Sequence, residues 1–376
     1  MIAYKNAIIE PVSSKIIENG LILTEKGKIK YIGPMKEYSK EYKEIDCANK
    51  YILPGLIDAH THIGIWGEGE GSSSADGNEA TDPITPHVRA IDSININHSS
   101  YKDALAGGVT TVCITPGSSN NIGGMMCASK TGGKSLNEMI INEYVGMKAA
   151  LGENPKGFYG KELNKFPATR MGNAYAIRKT LSKVKDLLDR DESIDFELKP
   201  LVKVLEKEVP LRIHAHRADD ILTAIRIAEE FDLDIQIEHG TDSARIAEKL
   251  ASKKIKINLG PSFWNRAKIE TQSISFKTAK VLDDAGVEFS IISDHPFFPI
   301  QYANIQLALT HAEGLSREQT LKAYTLTPAK FMNIDNLVGS LEVGKDADLT
   351  IWDGDPFSIY TKLEKTIIND KIFYQA

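Results

Sequence analysis

Two imidazoles stand at the end of an apolar run in Tyr51-Ile52-Leu53-Pro54-Gly55-Leu56-Ile57-Asp58-Ala59-His60-Thr61-His62, and this pairing narrows what the chain can become. The run from Tyr51 to Ile57 reads as a buried strand. The i, i+2 spacing puts both rings on one face of an extended backbone. Two neutral imidazoles converging at a strand end make half a site for a divalent transition metal. Taken alone, a pair of surface histidines in a loop is an equal reading, and only further ligand-type residues at later strand ends decide between the two.

Such residues recur. Leu211-Arg212-Ile213 leads into His214-Ala215-His216, Leu233-Asp234-Ile235-Gln236-Ile237 into Glu238-His239, and Val287-Glu288-Phe289-Ser290-Ile291-Ile292 into Ser293-Asp294. Five of the nine histidines therefore stand at three strand ends, a placement that scattered core or surface histidines do not produce. Helical periodicity follows these strands: Ile221, Ala224, Ile225 and Ala228 share one face, and further helices are expected from Ser243 to Leu250 and around Phe276 to Leu282. Gly108 to Ile114 and Ile255 to Leu259 add strands. The alternation over residues 54–336 predicts an α/β fold with a parallel core, a (β/α)8 TIM barrel whose strand ends meet at one mouth. A doubly wound sheet alternates in the same way, but no G-x-G-x-x-G follows the first strand.

The two chain ends differ from this core. Residues 1–53 hold short β-like pieces separated by Asn19-Gly20 and Lys26-Gly27, and residues 337–376 read alike. Each end is too short to fold alone, so the two are expected to pair as a small β-sandwich beside the barrel. Residues 64–98, with Gly67-Glu68-Gly69-Glu70-Gly71-Ser72-Ser73-Ser74, are expected to form a lid or specificity loop. Residues 115–143 are expected to hide one barrel strand near Met125 to Thr131.

Composition excludes several classes. The chain has 376 residues, 42% hydrophobic and 26% charged, as in ordinary globular proteins. A net charge of −6 argues against a phosphate backbone as partner. No apolar run approaches the ~20 residues needed to span a bilayer, and Met1 to Asn6 lacks the start of a signal peptide. Cys47, Cys113 and Cys127 have no paired spacing, which fits a reducing compartment and buried thiols. These features lead us to expect a cytoplasmic protein acting on a small molecule, without nucleic-acid or membrane partners. Homo-oligomer formation stays open.

The order P-G-L-I-D-A-H-T-H, H-A-H, E-H-G, S-D resembles the amidohydrolase superfamily of metal-dependent hydrolases. Gly339-Ser340-Leu341-Glu342-Val343-Gly344-Lys345-Asp346-Ala347-Asp348-Leu349 is similar to that superfamily's G-S-(I/L)-x-x-G-K-x-A-D-L signature. The resemblance covers essentially the whole chain and is nearest the imidazolonepropionase-like and Xaa-Pro dipeptidase-like branch. It implies that His60 and His62, with Asp294, hold the more buried metal, and that His214 and His239 are further ligands. His216 then faces substrate or exchanges roles with His214. The fourth-strand ligand stays open between Lys148, as a carboxylated lysine bridging two metals, and Glu153. The implied cofactor is one or two divalent ions, zinc foremost.

The implied chemistry is hydrolysis of a C–N bond in a cyclic amide, an N-acyl compound or a small dipeptide. Asp294 would take a proton from a metal-activated water and pass it to the leaving nitrogen, with His239 or His216 stabilising the oxyanion. Deamination of a heterocycle at the same site is the alternative. A non-catalytic scaffold of this fold is a third reading, against which the presence of His60, His62, His214, His239 and Asp294 counts. His295, Tyr101, His98, His87, Arg89, Arg217 and Arg170 are weaker substrate-contact candidates, and Ser118 to Gly124 a possible anion nest.

Overall fold

A computed structural model describes residues 1–67, 74–266 and 268–376. Strands β1 (Ile2–Ile9), β2 (Ile17–Glu25), β3 (Lys28–Pro34), β4 (Lys43–Asp46) and β5 (Tyr51–Pro54) begin one sheet. A second sheet holds β6 (Leu56–Thr61), β7 (Val109–Ile114), β8 (Ile122–Lys130), β9 (Ile140–Ala150), β10 (Leu211–Ala215), β11 (Ile235–His239), β12 (Lys256–Leu259) and β13 (Phe289–Ile291). The chain then returns to the first sheet with β14 (Leu349–Trp352), β15 (Leu363–Ile368) and β16 (Lys371–Gln375).

The apolar run Tyr51 to Ile57 is therefore two strands rather than one. Its first part pairs with β1 and β14, its second with β7. Gly55 is the point of passage: a Cβ there would come within 2.0 Å of the Thr110 hydroxyl, so only glycine leaves room for the Thr110 side chain. The first sheet runs β16-β15-β14-β5-β1-β2-β3, with β4 on β1. It curls until the β2–β3 turn meets the β15–β16 turn, where Gly27 N–H donates to Asp370 at 3.2 Å. Tyr4, Ile9, Ile22, Ile52, Leu349 and Ile367 fill its interior.

The second sheet is ordered β6 through β13 and is nearly closed. All neighbours are parallel except at β8, which runs antiparallel to β7 and to β9. The hidden strand expected near Met125 is present, but it departs from a uniformly parallel barrel. The cause is connection length: residues 115–121 are too few for a parallel crossover, which needs about a dozen or more. Closure falls on the residues of interest. His62 N–H donates to the His295 carbonyl at 2.9 Å, Asp294 N–H to the His60 carbonyl at 3.1 Å, and the Asp58 carboxylate takes Ser293 N–H at 3.0 Å.

Helices Arg170–Asp189 and Ala218–Phe231 cover the outside of this sheet, burying Ile177, Leu181, Ile221 and Ile225 in one core with Ile213, Ile237 and Ile257. Among the described residues no helix is long and apolar enough to cross a membrane. All three cysteines are buried and unpaired. Of the acidic loop expected as a lid, residues 68–73 lie outside the described residues.

Candidate metal centre

Alternation along the barrel strands sends one set of side chains inward, and that set is polar. Arg212 and His214 of β10, Gln236 and Glu238 of β11, Asn258 of β12 and Ser290 are all buried. The deeper members form a network. Arg212 donates from Nε to Glu238 Oε1 at 2.8 Å and from Nη2 to Oε2 at 3.1 Å; Asn258 donates to Glu238 at 2.8 Å, and Ser290 to Asn258 at 2.6 Å. The histidines sit above this floor.

His60 and His62 lie with ring centroids 5.4 Å apart, and His60 lies 4.9 Å from His239. His214 and His216 are 4.7 Å apart, and His239 is 4.5 Å from His214. One oxygen of Asp294 reaches both His60 Nε2, at 3.3 Å, and His62 Nε2, at 3.2 Å. Two sets of ligand atoms each fall within 4.8 Å of one another: His214, His216 and His239, and His60, His239 and Asp294.

Partners behind the rings fix which nitrogen faces inward. His62 Nδ1 donates to the Thr115 carbonyl at 2.7 Å, His239 Nδ1 to the Gly260 carbonyl at 2.8 Å, and His60 Nδ1 to Glu238. His216 Nδ1 meets Thr241 Oγ1 at 2.7 Å. For His60, His62 and His239 this leaves Nε2 with its lone pair toward the cluster, whereas the Thr241 hydroxyl can donate to His216 Nδ1 and leave the proton on His216 Nε2. His214 differs: Asn154 approaches its Nε2 at 3.4 Å, and its Nδ1 is buried with no hydrogen-bond partner.

The electrostatics keep His62, His214, His216 and His239 neutral, the form in which imidazole binds a metal. Burial, reinforced by neighbouring histidines, holds His214 well below its usual value, and burial with Lys268 lowers His216 to about 3. Burial also depresses His239 and His62, outweighing Asp294. Burial opposes the Asp294 charge, yet His239, His60 and His62 together hold its carboxyl well below the usual range. Lys148, fully buried on β9, is pulled down to about 8 by burial against the pull of Glu238 and Asp294. Its Nζ lies 3.4 Å from His60 Nε2, and no carboxylate comes within 4.0 Å of it among the described residues.

His239 (φ 75°) and Asp294 (φ 54°) both adopt left-handed backbone conformations. Each costs about 1–3 kcal/mol and persists where surrounding structure demands it. Here strand ends turn sharply to aim side chains into the mouth.

Glu153 opens a one-turn helix, Glu153–Pro155, after β9; it is half-buried, its N–H bonds Glu270 at 3.0 Å, and it belongs to neither convergent set. Arg217 pairs with Asp219 at 2.8 Å, Arg170 with Asp220 at 2.9 Å and Arg89 with Asp92 at 2.9 Å, so each is committed elsewhere. In the expected anion nest, Asn120 and Asn121 brace backbone carbonyls of Glu79 and Ala150. His295 is buried with Nε2 unpartnered. Sequence reading overlooked Arg212, Asn258 and the floor role of Glu238. Polar residues at period two in otherwise apolar strands were the signal.

A barrel mouth with converging neutral imidazoles, a buried lysine and one carboxylate defines the class of metal-type hydrolases. The amidohydrolase family model matches residues 51–375, and the chain belongs to that family, as a hydrolytic enzyme acting on C–N bonds. It is 26% identical over 381 residues to the amidohydrolase tasK of Hapsidospora irregularis, a match spanning 92% of this chain and 38% of that protein. It is 24% identical over 377 residues to the imidazolonepropionase of Rhizobium rhizogenes, spanning 92% and 90%. Among solved structures, an amidohydrolase from Thermotoga maritima MSB8 superposes with a TM-score of 0.96 at 40% identity, both chains covered in full. A Xaa-Pro dipeptidase structure, covered in full as is this chain, superposes with a TM-score of 0.63 at 15% identity, a likeness of fold.

Proposed function

We propose that the chain is a metal-dependent hydrolase of the C–N bond in a cyclic amide, an N-acyl compound or a small dipeptide. The observation that carries this reading is the convergence of two sets of ligand atoms, each within 4.8 Å of one another, His214, His216 and His239, and His60, His239 and Asp294, together with the buried, unpartnered Nδ1 of His214. A buried polar atom without a partner is costly unless something absent from the chain satisfies it. The donor set of imidazoles and one carboxylate suits zinc. His60, His62 and Asp294 would hold one ion, His214 and His239 a second. When bound, the ions supply Lewis acidity and a water that loses its proton near neutral pH.

The chain's own groups do the rest. Asp294, anchored between His60 and His62, accepts the proton and returns it to the leaving nitrogen. His216, stacked on His239 at 4.8 Å, would donate from Nε2 to the substrate oxygen as it gains charge. Among the described residues no carboxylate forms an ion pair with Lys148 within 4.0 Å, and a buried ammonium without such a pair is strongly disfavoured. Carboxylation would resolve this: the neutral amine would bond to the carbon of CO2 and lose a proton, and the resulting carbamate would put a negative charge where Lys148 could help hold a divalent ion.

The test is metal analysis with a hydrolysis screen. Purified protein should carry one to two equivalents of zinc and cleave members of a panel of N-acyl amino acids, cyclic amides and dipeptides. Chelation should abolish both. Protein that takes up no divalent ion at micromolar concentration would overturn the reading.

A further inference from the structure

We propose that an aromatic wall beside the metal centre selects substrates carrying an apolar, preferably aromatic, group next to the scissile bond; this rests on the hydrolase reading above. The wall begins at a site residue. The Trp66 ring lies 5.4 Å from His62, and Phe297 lies 5.8 Å from Trp66 and 6.5 Å from His62. Trp264 continues outward, 5.2 Å from Phe297. Two of the three tryptophans of the chain stand in this wall, the third being buried at Trp352.

The three rings come from the loops after β6, β12 and β13, which are consecutive around the closed ring of strands. They therefore occupy one sector of the mouth, on the side of His62 and Asp294. His214, on β10, lies across the barrel. Trp66 is held firmly: its backbone bridges Ala75, and a Cβ on Gly77 would come within 3.1 Å of its ring. Phe297 is tied to the site by its N–H, which donates to the Asp294 carbonyl at 2.9 Å.

The wall has an apolar face to spare. Phe297 remains 38% exposed and the adjoining Phe263 57%. Continuity of these rings with His62 puts an apolar group that stacks on them within reach of the reacting bond. Aromatic faces of this kind favour stacked or edge-on rings. They supply apolar contact without imposing hydrogen-bond demands, so they discriminate by size and apolarity.

The experiment compares phenylacetohydroxamate with acetohydroxamate, which share a metal-chelating head and differ by one phenyl ring. Binding is followed by tryptophan fluorescence and by calorimetry, with zinc-loaded and metal-free protein. For loaded protein we expect the phenyl compound to bind about tenfold tighter or better, and Trp264→Ala and Phe297→Ala each to cut that preference at least about threefold while acetohydroxamate affinity is unchanged. Equal affinities, or a preference that survives both substitutions, would overturn the wall as a selector. Should loading not strengthen either compound, the metal reading fails. The wall is then judged on the metal-free protein, where saturable quenching by the phenyl compound alone supports it and none refutes it. Unchanged circular dichroism and thermal midpoint in the variants separate a selective loss from unfolding.

Discussion

His60 donates its Nδ1 proton to Glu238, and Glu238 is gripped from its other side by Arg212. Neither side chain of the ion pair is exposed at all. Arg212 also donates to the Ala59 carbonyl at 2.7 Å, so the guanidinium ties the strand bearing His60 to the strand bearing His239. Buried ion pairs contribute little net stability, because desolvation offsets attraction, while breaking one is costly. The pair earns its place by fixing the ring orientation and tautomer of His60.

Glu238→Gln should therefore weaken zinc binding by about 10- to 100-fold. Chelator competition measures this, and nitrogen chemical shifts of labelled histidine report the tautomer directly. An unaltered affinity with an unaltered His60 tautomer would assign Glu238 a packing role.

Asp294→Asn should lower turnover by about 10²-fold or more, as expected for loss of a positioned base. Some zinc should remain, because His60, His62 and His239 are unchanged. The comparison of kcat at matched metal content decides it. Near-normal kcat removes Asp294 from proton transfer.

Lys148→Ala should reduce both metal content and activity. A short carboxylic acid added in excess should restore part of each, and bicarbonate should restore neither. In the native protein, mass spectrometry under non-denaturing conditions should show one CO2 that acid releases. An unmodified Lys148 with Glu153 on a metal would transfer the bridging role to Glu153.

Glu270 gives a pH dependence outside the metal ligands. Burial raises its carboxyl to about 7, against Lys268 and the Glu153 N–H, with Glu153 and Asp220 adding to the rise. One of its oxygens is buried without a partner. The folded state thus holds the proton more tightly than the unfolded chain. Its stabilising contribution is complete below the ordinary value of 4.5 and is lost as pH rises through about 7. Glu270→Gln should remove a slope amounting to about 2–3 kcal/mol across that window. Urea midpoints of both proteins at pH 5 and pH 8 test it, and parallel profiles would refute it.

What the sequence disclosed and what it concealed divide on physical lines. Ligand-type side chains that converge from strand ends carry their residue type and spacing in the sequence, so His60, His62, His214, His239 and Asp294 stood out before any fold was known, and the structure brings them to one mouth. The division of Tyr51 to Ile57 into two strands was hidden, since its cause is the approach of Thr110 to Gly55, a contact far apart in sequence. The antiparallel course of β8 was hidden because residues Ile122–Lys130 are buried on both faces and show no alternation. The aromatic wall joins three distant loops, each of which carries only one or two unremarkable aromatic residues.

The family signature near the C-terminus has a structural cause that can be measured. Lys130, at the end of β8, is buried and pairs with Asp346 at 2.8 Å and with Asp348. Asp348 also takes the Asn369 N–H at 3.0 Å, and its carbonyl accepts the Gly55 N–H at 3.0 Å. Asp346 and the signature's Asp348 thus fasten the curled sheet to the barrel beside the point where the chain crosses between them. Removing the cation alone leaves Asp348 buried without a counter-charge, while the half-buried Asp346 keeps Lys28 at 2.6 Å. Lys130→Met should therefore destabilise the protein by about 3–5 kcal/mol. Asp348→Asn combined with Lys130→Met should cost less than the sum of the separate losses, because the pair acts as a unit. Denaturation midpoints of the two single variants and the double variant complete the cycle, and strict additivity would show that Lys130 and Asp348 act independently.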